Sequence, residues 1–418
     1  MNVLGVIAEF NPFHNGHKYF IDTAKKNGPF DAVVSVMSGN FSQRAQPTIC
    51  DKWSRAEMAI HGGVDVVIEL PLCFSVRSAY YFARGAVHLL AQTGVVSHLG
   101  FGSEQGQLDM LMKIASLLAA EPDDYRVLLK NSLAQGLSYP VARSQALQQY
   151  MGSQSNDVYE LLKGPNNILA IEYLHNIIKD NLNLQPFTIP RQGDDYHSQC
   201  ISGSDYSSAG AIRTALYKKP VITSAIEKVL PDSSRFILQR EILEGRAPIG
   251  SETLGPIILS NLRQMELASL KEIYEVSEGL EHRIKTASLQ SGSLEELRQR
   301  IKSKRYSLSR IDRILLYSLF RLDKEQFAAL DQQGPQYFHI LAFSSKGREI
   351  LQTIKNSSPL PILSRGSQVK KLSGETDSLA GNLLAVDILA SDIYSLLAPW
   401  PEMRKGGKDF LTSSLYVN

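Results

Sequence analysis

Along the first part of the chain, short apolar runs alternate with stretches in which apolar residues recur every three or four places. The runs "NVLGVIA" (2–8), "DAVVSVM" (31–37), "VDVVIEL" (64–70) and "VVSHLGFG" (95–102) are rich in β-branched residues. They read as buried parallel strands, because a strand covered on both faces needs no polar alternation. Between them, residues 17–27, 52–62 and 78–93 have helical spacing. This rhythm predicts an α/β fold with a Rossmann-like, doubly wound parallel sheet. Residues 105–180 are mostly helical, and "LLKGPNNILAIEYLHNII" (161–178) reads as a loop feeding a helix. "LQPFTIPR" (184–191) is a further short strand, and "SSAGAIRTAL" (207–216) opens a helix that Ser207 or Ser208 can cap.

After "KKP" (218–220) the pattern changes. Amphipathic helical segments dominate to about residue 332, followed by a strand, "YFHILAF" (337–343), and a last long helix near 379–397. The expected organisation is an α/β domain over 1–220 and a mainly helical domain over 221–418. A chain of 418 residues is long enough for two or three domains.

Composition is that of a soluble globular protein, with 21% charged and 43% hydrophobic residues. No apolar run reaches the roughly eighteen residues of a membrane span. The start, "MNVLGVIAEF", lacks the basic and small-residue features of a signal peptide. Cys50, Cys73 and Cys200 form no CxxC pair, so they read as packing residues in a reducing, cytoplasmic setting. Charge is uneven. Residues 1–200 carry 15 Lys and Arg against 18 Asp and Glu, leaving 29 against 24 for the remainder. Residues 283–324 hold eleven basic side chains and four acidic ones. Such a stretch is either a solvated helix face or a surface that tracks a polyanion.

In doubly wound sheets, ligands sit beyond the carboxyl ends of the strands, near a topological switch point. "AEFNPFHNGH", "MSGNFSQR" and "GFGSEQ" leave those ends after the first, second and fourth predicted strands. His14 and His17 have an i, i+3 spacing that would also suit zinc. No HExxH pattern and no Cys or carboxylate cluster accompanies them, so no metal site is expected. A plain Asn-Pro-Gly turn whose histidines cap or pack is the bland alternative. The position favours phosphate instead, because the motif opens a helix whose amides and dipole attract anions. Gly16 would let a ligand approach the backbone, and two imidazoles can donate hydrogen bonds to charge that develops on phosphate oxygens. Neither a Walker A loop nor GxGxxG occurs. "SAGAIR" (208–213) adds a serine and Arg213 at the start of a later helix, on the side expected for the β- and γ-phosphates.

With both motifs in this order, the chain resembles the HxGH nucleotidyltransferase superfamily, and more narrowly the tRNA(Met) cytidine acetate ligase family. The stretches that carry the resemblance are "GVIAEFNPFHNGH" (5–17), "VMSGNFSQRAQPTICDKWSRAEMAI" (36–60), "GVDVVIELP" (63–71), "FARGAV" (82–87), "FGSE" (101–104), "PNNILAIEY" (165–173) and "PRQGDDYH" (190–197). The resemblance implies an enzyme that makes acetyl-adenylate from acetate and ATP. It then acetylates N4 of the wobble cytidine of elongator tRNA-Met. Residues 1–220 would be the ATP-binding catalytic domain and 221–418 the tRNA-binding one.

By the same resemblance, ATP would contact Ile7, Ala8, Glu9, Phe10, Asn11, Pro12, Phe13, His14, Asn15, Gly16, His17, Lys18, Tyr19 and Phe20. Gly102, Asn166 or Asn167, Arg191 and Ser208 complete that set. His14, His17 and Arg213 are the expected catalytic residues, and Mg2+ would accompany ATP, held by phosphates and water. Where relatives carry hydroxyl residues, this chain has Gly210 and Ala211. Lys52, Arg298, Lys302 and Arg305 are candidates for tRNA contact. Asp195 and His197 are candidates for placing a loop or the acceptor base. Two rivals stand: an adenylyl- or cytidylyltransferase acting on a small phosphorylated metabolite, and a non-catalytic nucleotide- or RNA-binding protein.

Overall fold

A computed structural model describes residues 1–104, 106–152, 155–192, 200–201 and 204–418. Asp195 and His197 lie outside the described residues. Eight strands form one sheet in the order β5-β4-β1-β2-β3-β6-β7, with β8 also paired to β6. Their ranges are β1 Val3–Ala8, β2 Ala32–Ser38, β3 Val66–Leu70, β4 Val96–Ser103, β5 Gln185–Pro190, β6 Phe338–Phe343, β7 Ile362–Leu363 and β8 Leu415–Tyr416. The first five are mutually parallel, as their apolar runs predict. The chain lays down β1, β2 and β3 in one direction, then returns to place β4 and β5 on the other side of β1. The switch point therefore falls between β1 and β4.

Both faces of the sheet are covered. Val34 and Val36 of β2 and Val66 and Ile68 of β3 belong to one hydrophobic core. Their neighbours Val33, Met37 and Val67 belong to the other. That period of two is what puts successive residues of one strand into two different cores. Helix Ala79–Gln92 contributes Phe82, Ala86 and Leu90 to the first core. Helices Asn15–Asn27 and Lys52–His61 contribute Ile21, Ala56 and Ile60 to the second.

The region after residue 220 is mainly helical up to Gln333, as expected. It is not separate from the sheet. β6 pairs antiparallel with β3, Val66 opposite Phe343 and Glu69 opposite His339, and β7 and β8 then pair with β6. A cut at residue 220 would divide the sheet. "YFHILAF" shows a strand, but its partner lies some 270 residues earlier and no local signal names it.

Candidate active site

A cleft of about 320 Å³ opens where β1, β2 and β4 end. Its floor comes from Ile7 and Ala8 of β1, from Glu9 and Phe10 just after it, and from Gly100, Phe101 and Gly102 of β4. His14, Gly16 and His17 border it from the first helix, Asn166 and Tyr173 from helix Pro165–Lys179, and Ser208 and Arg213 from helix Ala209–Lys218.

Both histidine rings are held by backbone N–H groups. His14 is the N-cap of helix Asn15–Asn27, and its Nδ1 accepts the Gly16 N–H at 3.0 Å. Its own N–H donates to His17 Nδ1 at 3.2 Å, completing a capping box built from imidazoles. With both Nδ1 atoms accepting, each neutral ring carries its proton on Nε2. The rings stack with centroids 3.9 Å apart, and the edge of Phe10 meets His17 at 5.0 Å. Burial lowers the His14 pKa to about 3, aided by the charges of Arg191 and Arg213. Burial, then His14 and Arg191, hold His17 well below its ordinary value. At neutral pH the site therefore presents two uncharged N–H donors.

Gly16 makes room for the His14 ring. A Cβ there would lie 2.9 Å from His14 Cε1. The Gly16 N–H is taken by the His14 ring. Phe10 sits at φ 45°, a left-handed conformation uncommon outside glycine, and its buried ring anchors that turn. The Asn11 carbonyl accepts Arg213 Nη1–H at 2.7 Å, and Asn11 Oδ1 accepts the Ile49 N–H at 2.8 Å. Arg55, fully buried, donates to the carbonyls of Glu9, Ser38, Gly39 and Cys50, which ties the ends of β1 and β2 together. At Gly102 a Cβ would meet the Arg191 Cγ at 3.1 Å, so this glycine lets the arginine lie across β4.

A family model, HIGH Nucleotidyl Transferase, matches residues 1–409. A tRNA(Met) cytidine acetate ligase from Syntrophomonas wolfei is 55% identical, with 99% of each chain covered. One from Halothermothrix orenii is 40% identical over 98% of each. The crystal structure of Thermotoga maritima TmcAL bound with alpha-thio ATP is 38% identical, covers 100% of both chains and superposes with a TM-score of 0.92. The chain belongs to the tRNA(Met) cytidine acetate ligase family.

Family membership makes the placement of each expected residue informative. Of the stretch from Ile7 to Phe20, ten residues border the cleft: Ile7, Ala8, Glu9, Phe10, Asn11, His14, Gly16, His17, Tyr19 and Phe20. Four are not among its lining. Phe13 is core, packed so closely that a Cβ on Gly62 would strike its ring. Asn15 Nδ2 donates to the carbonyls of Asp205 and Lys228, at 3.0 and 2.8 Å, and so pins neighbouring loops. Lys18 pairs with Asp22 on the surface, and Pro12 follows a cis peptide bond in the turn.

Of the asparagine pair, Asn166 borders the cleft while Asn167 is buried, its Oδ1 accepting the Glu104 N–H at 3.1 Å. The Glu104 carboxylate in turn accepts the amides of Asn166 and Asn167, which explains why "FGSE" and "GPNN" occur together: one caps the other's helix. Ser208 caps its own helix, accepting the Ala211 N–H at 3.1 Å.

Lys52 is a correction. It has no exposed surface, and its Nζ donates to Glu69 at 2.8 and 3.0 Å and to Asp409 at 2.6 Å, so it cannot meet tRNA. His339 meets the same Glu69 at 2.7 Å. Glu69, His339 and Asp409 are close enough to grip a cation, and the lysine ammonium is the cation there. In the basic stretch, several arginines meet carboxylates of this chain. Arg298 forms a two-bonded pair with Asp312, at 2.6 and 3.0 Å, and meets Glu295. Arg305 pairs with Glu278, Arg300 with Glu296 and Arg313 with Glu275. Lys302 and Lys304 are exposed.

Sequence reasoning named no residue of the loop after β2, yet Ser42, Gln43, Arg44 and Gln46 border the cleft. The strand-end rule points to that loop but not to which of its side chains turn inward. Tyr206 was also missed; its ring meets Tyr19 edge-on at 5.8 Å.

Proposed function

We propose that this chain is an ATP-dependent ligase that activates acetate as acetyl-adenylate and acetylates N4 of the wobble cytidine of elongator tRNA-Met. The observation that carries the reading is the pair of neutral imidazoles, each with its proton on Nε2, at the sheet's switch point in a chain of this family. ATP occupies the cleft between the first helix and helix Ala209–Lys218. Acetate attacks the α-phosphorus and pyrophosphate leaves. A carboxylate is already a nucleophile, so the protein's part is to position the reactants and stabilise charge. His14 and His17 donate to the α-phosphate and the departing oxygens, and Arg213 and Arg191 supply positive charge nearby. The described residues bordering the cleft include a single carboxylate, Glu9, which makes no cage for a metal. Mg2+ would accompany ATP, neutralising phosphate charge without protein ligands.

The tRNA lies across the helical region, where Lys302 and Lys304 offer exposed positive charge. A splayed-out cytidine reaches the cleft, because chemistry on a base requires it to leave the stack. Incubation with ATP, labelled acetate and bulk tRNA, followed by nucleoside mass spectrometry, tests the whole reading. Labelled N4-acetylcytidine is expected. Its absence while ATP is consumed for a phosphorylated metabolite would favour a small-molecule nucleotidyltransferase.

A further inference from the structure

The second half of the proposed reaction needs a proton acceptor. When an exocyclic amine attacks an acyl carbon, its nitrogen becomes cationic and must lose a proton for the amide to persist. Neither histidine can take it. Both Nδ1 lone pairs are occupied by backbone N–H groups, at 3.0 and 3.2 Å, and both Nε2 atoms already carry hydrogen. Burial and the nearby charges keep both rings neutral, so they act as donors only. Tyr173 also borders the cleft, but burial and the charge of Glu9 push its phenol up, so it stays protonated.

Glu9 remains, the one carboxylate among the described residues that border the cleft. It follows directly on β1, at the carboxyl edge of the sheet. Its backbone is fixed, because Arg55 donates to its carbonyl at 2.6 Å. One carboxylate oxygen is fixed too, accepting the Gln43 N–H at 2.8 Å. The other, Oε2, has no hydrogen-bond partner among the described residues. A carboxylate with one oxygen clamped and the other presented to a cleft is oriented to accept a proton.

We propose that Glu9 is the general base of acetyl transfer, a duty beyond any contact with ATP. The inference rests on the ligase reading above. The cytidine N4 attacks the carbonyl carbon of acetyl-adenylate and a C–N bond forms. The bond between that carbon and the phosphate oxygen breaks, and AMP leaves with the electron pair. The proton lost from N4 passes to Glu9 Oε2 and from there to water.

The test is single-turnover transfer from pre-formed acetyl-adenylate to tRNA, at saturating adenylate, for the wild type and Glu9→Gln across a range of pH. The saturating rate is expected to fall by about 10²–10⁴. Glu9→Asp, which keeps the carboxylate, should recover part of the rate and guards against a folding defect in the glutamine variant. A Glu9→Gln rate equal to wild type at saturation overturns the proposal. So does a weaker apparent affinity with an unchanged saturating rate, which would make Glu9 a binding residue. Acetate-dependent ATP–pyrophosphate exchange by the wild type is measured alongside. If the wild type lacks both that exchange and transfer, the ligase reading itself falls. If it has both and Glu9→Gln still transfers normally, only the assignment of Glu9 falls.

Discussion

The cleft and the basic helical stretch both carry positive charge, and they use it in opposite ways. In the cleft, Arg191 is close enough to help hold both imidazoles uncharged, and Arg213 adds to the effect on His14. In the stretch from Arg283 to Lys324, most arginines already sit on carboxylates of the same chain: Arg298 on Asp312, Arg300 on Glu296, Arg305 on Glu278 and Arg313 on Glu275. A charge count read from sequence treats the two alike. The difference teaches that a basic stretch offers a polyanion only what its own acidic neighbours leave over.

The comparison breaks most readily at His17. His17→Ala should lower acetate-dependent ATP–pyrophosphate exchange by about 10²–10³, the usual effect of removing one preorganised donor. Arg300→Gln, which cuts exposed contacts with Glu296 and Gln290, should leave that exchange at its wild-type rate. Next in size is Gly16→Ala. The new methyl would displace the His14 ring, and a shift of about 1 Å at a reacting group costs on the order of 10² in rate. Thermal unfolding measured on the same sample separates that loss from misfolding.

In the helical stretch the effects should be smaller and of two kinds. Lys302→Glu with Lys304→Glu should weaken tRNA binding and make it less sensitive to salt, the slope falling by about 1 for each phosphate that a lysine no longer neutralises. Arg298→Ala should instead lower the unfolding midpoint, because it strands the part-buried Asp312, at a cost of about 1–3 kcal/mol. If Arg298→Ala weakened tRNA binding as much as the lysine pair does while leaving stability unchanged, the contrast between the two regions would fail.

The smallest effect is on pH dependence. His14 has a folded pKa of about 3, below its unfolded value, so the unfolded state binds the proton more readily. Stability from this group is complete above pH of about 6.5 and is lost as pH falls, on the order of 1 kcal/mol per pH unit, until the folded pKa is reached. Denaturant unfolding at pH 7 and pH 5 should show that slope reduced in His14→Gln.

Much of the fold was legible because it is written locally. The four N-terminal apolar runs have the composition of doubly covered strands, and their glycine-containing exits mark the cleft. His14 and His17 were legible for the same reason, since the capping box is a contact between residues three apart. What sequence could not show depends on partners far away. Lys52 reads as a surface lysine until Asp409, 357 residues later, is placed beside it. β6 reads as a strand, yet its antiparallel seat against β3 follows from the path of the whole intervening chain. Gly16 reads as a place of close approach to a ligand, while the closeness of the His14 ring to it is visible only in three dimensions. Arg298 was counted as available charge because Asp312, fourteen positions on, faces it only once two helices pack.

The central claim is that neutral donors on the first helix activate acetate. ATP–pyrophosphate exchange in the purified protein, with and without acetate and for the wild type and His17→Ala, tests it most directly. Exchange should require acetate, proceed without tRNA and collapse in His17→Ala. Exchange that ignores acetate, or that survives intact in a folded His17→Ala protein, would contradict it.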